Sequence, residues 1–352
     1  MANIRILTWN IEVYGPNKYG RSVNNAQLVD FVGSVVAHTN ANILVIQETL
    51  SSVGDQVAFS ICEGIQQASG QNWSYYVTWA RVNGDRESYG FFWRTDAAAN
   101  FGVAVDNAGQ NVAGLATLEF PNNFSMSNGR RAAFMTFRTT DTAQNFTVTS
   151  YHAPPNGNAI RGLQQIASMP QLYAIANPGV GGGAVPARLL CGDYNLDVTI
   201  QPEYTWFTNP VPMVPPPAAP GQGAGTVAAT VNDTHLTAWK ALTDTYGAIA
   251  NWPAATADYI EAQAIDNIFY AGGAAPAGSV VDVLGQIATP GTGIRVAAQA
   301  LNRSTPAGGE AFPHSLSIPL PFAATLSTAA YAFLLYRYAV SDHLPVLLNY
   351  TI

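Results

Sequence analysis

Two histidines and a set of carboxylates and amides stand beside short apolar runs of this sequence. Asn10 follows Leu7-Thr8-Trp9, Glu48 follows Val45-Ile46-Gln47, and His152 follows Thr149-Ser150-Tyr151. Asp193 and Asn195 follow Leu190-Cys191-Gly192, Asp266 precedes Ile268-Phe269-Tyr270, and Asp342 with His343 precedes Leu344-Pro345-Val346. In a layered α/β sheet, strand ends are where a crevice gathers side chains. Glu48, Asn10 and Asp342 offer hard oxygen ligands suited to Mg²⁺ or Mn²⁺. His152 and His343 can move protons near neutral pH. Asp193 and Asn195 can bind and orient a phosphate or a water. The several His and Cys ligands of a zinc site are not among them. Neither a Gly-x-Ser-x-Gly nucleophile elbow nor a Walker-type phosphate loop occurs.

Each residue also has a plainer reading when taken alone. A histidine on a strand is more often structural, and Asp342 before His343 reads as a turn with a capped side chain. Asp193-Tyr194-Asn195 reads equally as an Asx turn. His38, His235 and His314 lie outside every such pattern.

The elements that must position these groups are strands mixed with helices. Strands are expected at Ile4 to Trp9, Ile43 to Ile46, Ser88 to Arg94, Arg131 to Thr139, Phe146 to His152, Leu189 to Cys191, Ile265 to Tyr270 and Pro345 to Tyr350. Ala26 to His38 carries apolar residues at helical spacing, and Val57 to Ala68 and Ile160 to Ile175 read as further helices. The aromatic run Trp73, Tyr75, Tyr76 and Trp79 reads as core packing or an alternating strand. The pattern implies one sheet-and-helix layered domain over 1–352 with two insertions. One insertion, near 201–257, includes a Pro-rich stretch from Thr208 to Ala229 that cannot be an ordinary helix or central strand. The other, near 271–338, is too long for a simple connection and suggests a helix around Ala323 to Tyr336.

With 48% hydrophobic and 11% charged residues, the chain has ample material for a core and does not resemble a disordered one. The formal net charge is -7, and Lys18 and Lys240 are the lysines. No basic block advertises a strong sequence-independent grip on nucleic acid. Cys62 and Cys191 do not make a disulfide framework. No signal peptide is visible near Ile4, and no apolar run of about 18 residues would span a bilayer. Compartment and protein partners stay open.

The motifs Thr8-Trp9-Asn10-Ile11, Ile46-Gln47-Glu48, Tyr151-His152-Ala153, Gly192-Asp193-Tyr194-Asn195, Ile265-Asp266-Asn267-Ile268 and Ser341-Asp342-His343-Leu344-Pro345-Val346 occur in that order. Together they resemble the endonuclease/exonuclease/phosphatase superfamily over nearly the whole chain. The resemblance implies an α/β (α+β) four-layer sandwich, two packed, mainly antiparallel β-sheets flanked by α-helices. The abasic-site endonuclease branch carries a tyrosine near His152. A histidine there is similar to pancreatic-type deoxyribonucleases, the catalytic subunit of cytolethal distending toxins and neutral sphingomyelinases. Thr8-Trp9-Asn10 and Arg81-Val82-Asn83 look most like the toxin branch.

The same resemblance implies that Glu87 partners His152 and that Arg130 or Arg131 contacts substrate phosphate, with Asn195 and Asn267 also at the substrate. On residue type alone, Glu87 reads equally as a solvated charge, and the two arginines as an exposed pair. His343, oriented by Asp266, becomes the expected base and His152 the expected acid. A Mg²⁺ ion, with Mn²⁺ or Ca²⁺ as alternatives, is expected on Glu48, Asn10 and Asp342. The implied activity is hydrolysis of DNA phosphodiesters. The alternatives are a sphingomyelinase-like or phosphoinositide-directed enzyme acting on phospholipid or inositol phosphate, and a catalytically silent binding protein on the same fold.

Overall fold

The computed structural model describes residues 2–14, 25–50, 54–79, 87–104, 130, 132–154, 159–160, 187–195, 265–271, 277–304, 329–341 and 343–352. The expected helix at 160–175, the insertion at 201–257, Arg131 and Asp342 lie outside these residues.

Two sheets pack face to face. The six-stranded sheet holds β1 (Asn3–Tyr14), β2 (Ile43–Leu50), β3 (Trp73–Trp79), β4 (Glu87–Arg94), β10 (Ala277–Val280) and β11 (Val346–Thr351), in the order β10-β11-β1-β2-β4-β3. The five-stranded sheet runs in sequence order through β5 (Phe101–Val103), β6 (Ala133–Thr139), β7 (Asn145–His152), β8 (Ala187–Asp193) and β9 (Asp266–Ala271). Each sheet has one parallel pair, β1 with β2 and β7 with β8; the remaining pairs are antiparallel. The strands expected from the sequence are all present. The short strands β5 and β10 were not expected, because three or four residues carry too little periodicity to register. In β3, Trp73, Tyr75 and Val77 pack on the helix side while Tyr76 packs between the sheets, an alternating strand.

Strand alternation sorts the core into two layers. Ile4, Ile6, Ile43, Val45, Phe91, Phe137, Phe146, Val148, Leu189, Cys191, Ile268 and Leu348 fill the space between the sheets. Leu7, Trp9, Leu44 and Ile46 point the other way, into a helical layer. That layer comprises α1 (Asn25–Thr39), α2 (Gly54–Ser69), α3 (Val283–Ala288), α4 (Gly293–Ser304) and α5 (Ala329–Ala339). The stripe Leu28, Phe31, Val32, Val35 and Val36 is the buried face of α1. The helix stops at Asn40, whose left-handed φ of 49° ends the turn.

The stretch 271–338, expected as an excursion, contributes β10 to the six-stranded sheet and α3, α4 and part of α5 to its helical layer. The helix expected around Ala323 to Tyr336 is described at Ala329–Ala339. No helix among the described residues is long and apolar enough to cross a membrane.

Helices α1 and α2 meet at two glycines. A Cβ on Gly33 would lie 2.4 Å from the carbonyl oxygen of Gly64, a backbone atom that cannot step aside. Gly33→Ala is therefore expected to destabilise the fold by about 1–3 kcal/mol, the usual cost of overpacking a tight contact. Urea unfolding measures this, and an unchanged midpoint would contradict the close approach of the two helices.

Candidate active site

The space between the sheets changes from apolar to polar along five of the strands toward one edge. On the inward face, Ile4 and Ile6 give way to Thr8 and Asn10, and Ile43 and Val45 to Gln47. Phe146 and Val148 give way to Ser150 and His152, and Leu189 and Cys191 to Asp193. On β9, which runs the opposite way, Asp266 precedes Ile268. The polar ends of five strands thus meet at the same edge of the sandwich.

Glu48 reaches this edge by a break in alternation. Leu44 and Ile46 face the helices, so an unbroken strand would send Glu48 there too. The β2–β4 register shifts between Ile46 and Thr49, and Glu48 sits at φ 61°. The bulge turns its carboxylate into the site. Asn195 is also left-handed, at φ 51°. Such conformations cost on the order of 1 kcal/mol each and persist where the surroundings impose them. Just before Asp193, Gly192 has φ 153°, and a Cβ there would lie 1.7 Å from the Tyr151 carbonyl oxygen. Only glycine lets β7 and β8 approach this closely beneath His152 and Asp193.

Asp193 is the hub. Its Oδ2 accepts from Asn10 Nδ2 at 3.0 Å and lies 3.5 Å from His152 Nε2 and 3.7 Å from His343 Nε2. Its Oδ1 accepts from Asn195 N–H at 2.8 Å, so the Asx turn and the cluster are one arrangement. Each imidazole is held from behind by a carboxylate. Asp266 Oδ2 is 2.7 Å from His343 Nδ1, and Glu87 Oε2 is 3.1 Å from His152 Nδ1. Glu48 Oε1 lies 3.5 Å from His152 Nε2 and accepts from Asn10 Nδ2 at 3.0 Å. Asn10 Oδ1 accepts from Glu12 N–H, so the Asn10 amide turns its nitrogen, not the oxygen expected as a ligand, toward the carboxylates.

Arg130 donates from NH1 to the Ala153 carbonyl at 2.6 Å and from NH2 to Glu87 Oε1 at 2.8 Å. Asn195 Nδ2 donates to the same carbonyl at 2.8 Å. Arg130 therefore braces Glu87 and the end of β7. Asn267 is not brought into the cluster. Alternation puts it on the face of β9 opposite Asp266, where it is fully buried and its Oδ1 accepts from Ile268 N–H.

The backbone at His343 is anchored to the six-stranded sheet and to α5. Its carbonyl accepts from Trp9 Nε1 at 3.1 Å and from the Tyr336 hydroxyl. Its N–H donates to Ser341 Oγ, which in turn donates to the Asn10 carbonyl. These supports, with Tyr89, whose hydroxyl accepts from His152 N–H, carried no catalytic signal in the sequence. Trp9 and Ser341 lay inside the motifs but were read only as flanking residues.

Four carboxylates, Glu48, Glu87, Asp193 and Asp266, thus surround two imidazoles with one guanidinium, Arg130, among the described groups. A bound cation would offset this excess of carboxylates over the basic groups described. Glu48, Glu87 and His152 form one group able to hold a metal ion, and Asp193, Asp266 and His343 another. The donors are mostly carboxylate oxygens, a set that fits a hard divalent cation.

Burial and the Arg130 charge work against protonation of His152, but Glu87 and Glu48 outweigh them and raise its pKa above the usual histidine value. In the metal-free protein, the His152 midpoint followed by NMR is expected above that value, and Glu87→Gln is expected to lower it. A midpoint unmoved by Glu87→Gln would refute the coupling.

The sequence matches no family model and no curated protein. Solved structures do match. The endonuclease/exonuclease/phosphatase from Bacteroides vulgatus superposes with a TM-score of 0.54 at 14% identity, covering 100% of both chains. A family protein of the same description from Bacteroides thetaiotaomicron gives 0.53 at 12% identity, covering 99% of this chain and 97% of that one. The mannosyl-6-phosphatase of Bacteroides thetaiotaomicron gives 0.52 at 13% identity, covering 99% and 100%. Two packed mixed sheets with a polar edge, matched end to end by these structures, make this chain a protein of the endonuclease/exonuclease/phosphatase fold.

Proposed function

We propose that the chain is a divalent-metal-dependent phosphodiesterase, and that its substrate is DNA, cleaved internally by attack of water. One observation carries the reading. Both imidazoles have Nδ1 engaged by a carboxylate, and both turn Nε2 toward the same oxygen, Asp193 Oδ2, at 3.5 and 3.7 Å. Two proton-transfer groups oriented alike about one small space suit a reaction that removes one proton and delivers another.

His343 is the base. With Nδ1–H donated to Asp266, its Nε2 carries the lone pair, and Asp266 stabilises the imidazolium that forms. Water loses a proton to His343 Nε2 as its oxygen bonds to phosphorus. The bond from phosphorus to the leaving oxygen breaks, and that oxygen takes a proton from His152 Nε2. In the metal-free protein Glu87 and Glu48 favour the charged form of His152 that this role requires. Asn10 holds Glu48 and Asp193, Asn195 fixes Asp193 and the end of β7, and Arg130 braces Glu87. Glu48, with Asp342 as a further oxygen donor, would hold the cation, whose charge offsets that developing on the phosphoryl oxygens.

The reading of DNA as substrate rests on the resemblance of His152 and its neighbours to the deoxyribonuclease-like branch. A second reading, a phospholipid, inositol phosphate or other small phosphoester, is favoured by the net charge of -7 and the two lysines. A like-fold structure named a mannosyl-6-phosphatase widens that alternative to sugar phosphates.

Plasmid nicking in Mg²⁺, abolished by a chelator, is the expected outcome. Turnover of sphingomyelin, phosphoinositides or a sugar phosphate without nicking would replace DNA as the substrate. No turnover of any phosphoester would leave the chain a binding protein. His343→Ala is expected to lower kcat by about 10²–10⁴-fold, the usual share of proton transfer, with a much smaller change in KM. An unchanged kcat would remove His343 as the base. Activity is expected to fall as pH rises through the His152 pKa, because the charged form is the acid; Glu87→Gln should move that limb to lower pH.

A further inference from the structure

Gln47 precedes Glu48 yet takes no part in the chemistry above. It is fully buried, as is Ser150, and Thr8 is 1% exposed. Gln47 Nε2 donates to Thr8 Oγ1 at 3.1 Å and to Ser150 Oγ at 3.0 Å, and Thr8 Oγ1 lies 3.4 Å from Gln47 Oε1. Thr8 and Gln47 belong to the six-stranded sheet and Ser150 to the five-stranded one. Gln47 therefore spans the gap between the sheets where the layer turns from apolar to polar.

The position of this bridge gives it a consequence. Thr8 lies two residues before Asn10 and Ser150 two before His152; Gln47 stands beside Asn10 in the β1–β2 register and reaches back to both hydroxyls, so the bridge lies directly beneath the site. Most site contacts cross the same gap. Asn10 to Asp193, Glu48 to His152, Glu87 to His152 and His343 to Asp266 each join a residue of the six-stranded sheet or its flank to one of the five-stranded sheet. None of those pairs can hold its distance if the sheets separate or slide at this edge.

We propose that Gln47 is a positioning residue, a two-hydrogen-bond clamp whose length sets the spacing of the sheets under the catalytic groups. An apolar residue of equal volume fills the same space but does not fix the register. Without Gln47 the hydroxyls of Thr8 and Ser150 lose their shared donor, a penalty met by local displacement rather than by simple collapse. The effect on catalysis rests on the phosphodiesterase reading; the clamp itself does not.

The test compares Gln47→Met, which keeps length and volume, with Ser150→Ala, which removes one oxygen, and with both together in the full chain. Val148→Ala, which thins the same layer farther from the site, is the control for stability alone. The metal-free proteins are examined by proton NMR for the Nδ1–H signals of His343 and His152, and the Mg²⁺-loaded proteins for phosphodiester turnover. Gln47→Met and Ser150→Ala should each lower kcat by about 10–10²-fold, as small misplacements do, while KM changes little. Both imidazole signals should shift, and the double variant should be no worse than the more severe single one, since Gln47→Met already removes the bond to Ser150. Val148→Ala should lower the melting temperature without moving those signals.

A folded Gln47→Met protein with normal kcat and unmoved imidazole signals would overturn the clamp, as would additive losses in the double variant. Should Gln47→Met fail to fold, Ser150→Ala decides by the same two readouts. If the unaltered chain turns over no phosphoester, the functional reading fails, and the imidazole signals alone still accept or reject the clamp.

Discussion

The spacing of two sheets at one edge is the constraint on which this molecule depends. The residues of the candidate site are divided between the sheets, with Asn10, Glu48 and Glu87 on one and His152, Asp193 and Asp266 on the other. His343 stands just before β11 of the first sheet and meets Asp266 of the second. Below them, closely packed side chains from Ile4 to Leu348 fix the separation, because protein interiors resist both compression and voids. The core layer between the sheets is therefore part of the machinery that holds the site. The tier containing Gln47 and Ser150 is where packing alone gives way to directional bonds.

Electrostatics depend on that spacing. The carboxylates Glu48, Glu87, Asp193 and Asp266 lie close enough to repel one another, and each is offset by a hydrogen-bond donor. Arg130 neutralises part of the charge at Glu87, and His152 responds to the remainder by holding its proton more tightly. Burial alone would push that imidazole the other way. The direction of its shift thus records how close the acids are, and the same excess of acid suits a hard divalent cation.

Backbone distortion at the site has a use. Glu48 and Asn195 are left-handed at the site, Glu12 is left-handed next to it, and the β2 ladder shifts register at Glu48. At Glu48 the departure from regular structure aims the side chain at the shared edge. The surrounding anchors hold these positions against relaxation. Trp9 and Tyr336 bind the His343 carbonyl, Ser341 ties its N–H to β1, and Tyr89 accepts from the His152 N–H. Helix α5 thereby supports the proposed base through its backbone, with the rings of Trp9 and Tyr336 parallel to within 2°.

Much of the fold was legible in the sequence, because burial imposes local periodicity. The helical stripe of α1 and the apolar strands β1, β2, β4, β6, β7, β8, β9 and β11 declare themselves within a few residues. The polar residues that close those apolar runs pointed to Asn10, Glu48, His152, Asp193, Asp266 and His343, and these are the residues that converge. What the sequence by itself did not determine is nonlocal. Short edge strands such as β5 and β10 exist only because a neighbour pairs with them. Residue type could not show that Arg130 would meet Glu87 across 43 positions of chain. Asn267 shares a motif with Asp266, yet alternation turns it away from the cluster. Gln47 finds Ser150 across 103 positions, a pairing set by the distance between two sheets. Side-chain type and strand period are local properties that a sequence displays; which polar groups meet is decided by how the layers stack, and only the tertiary structure contains that distance.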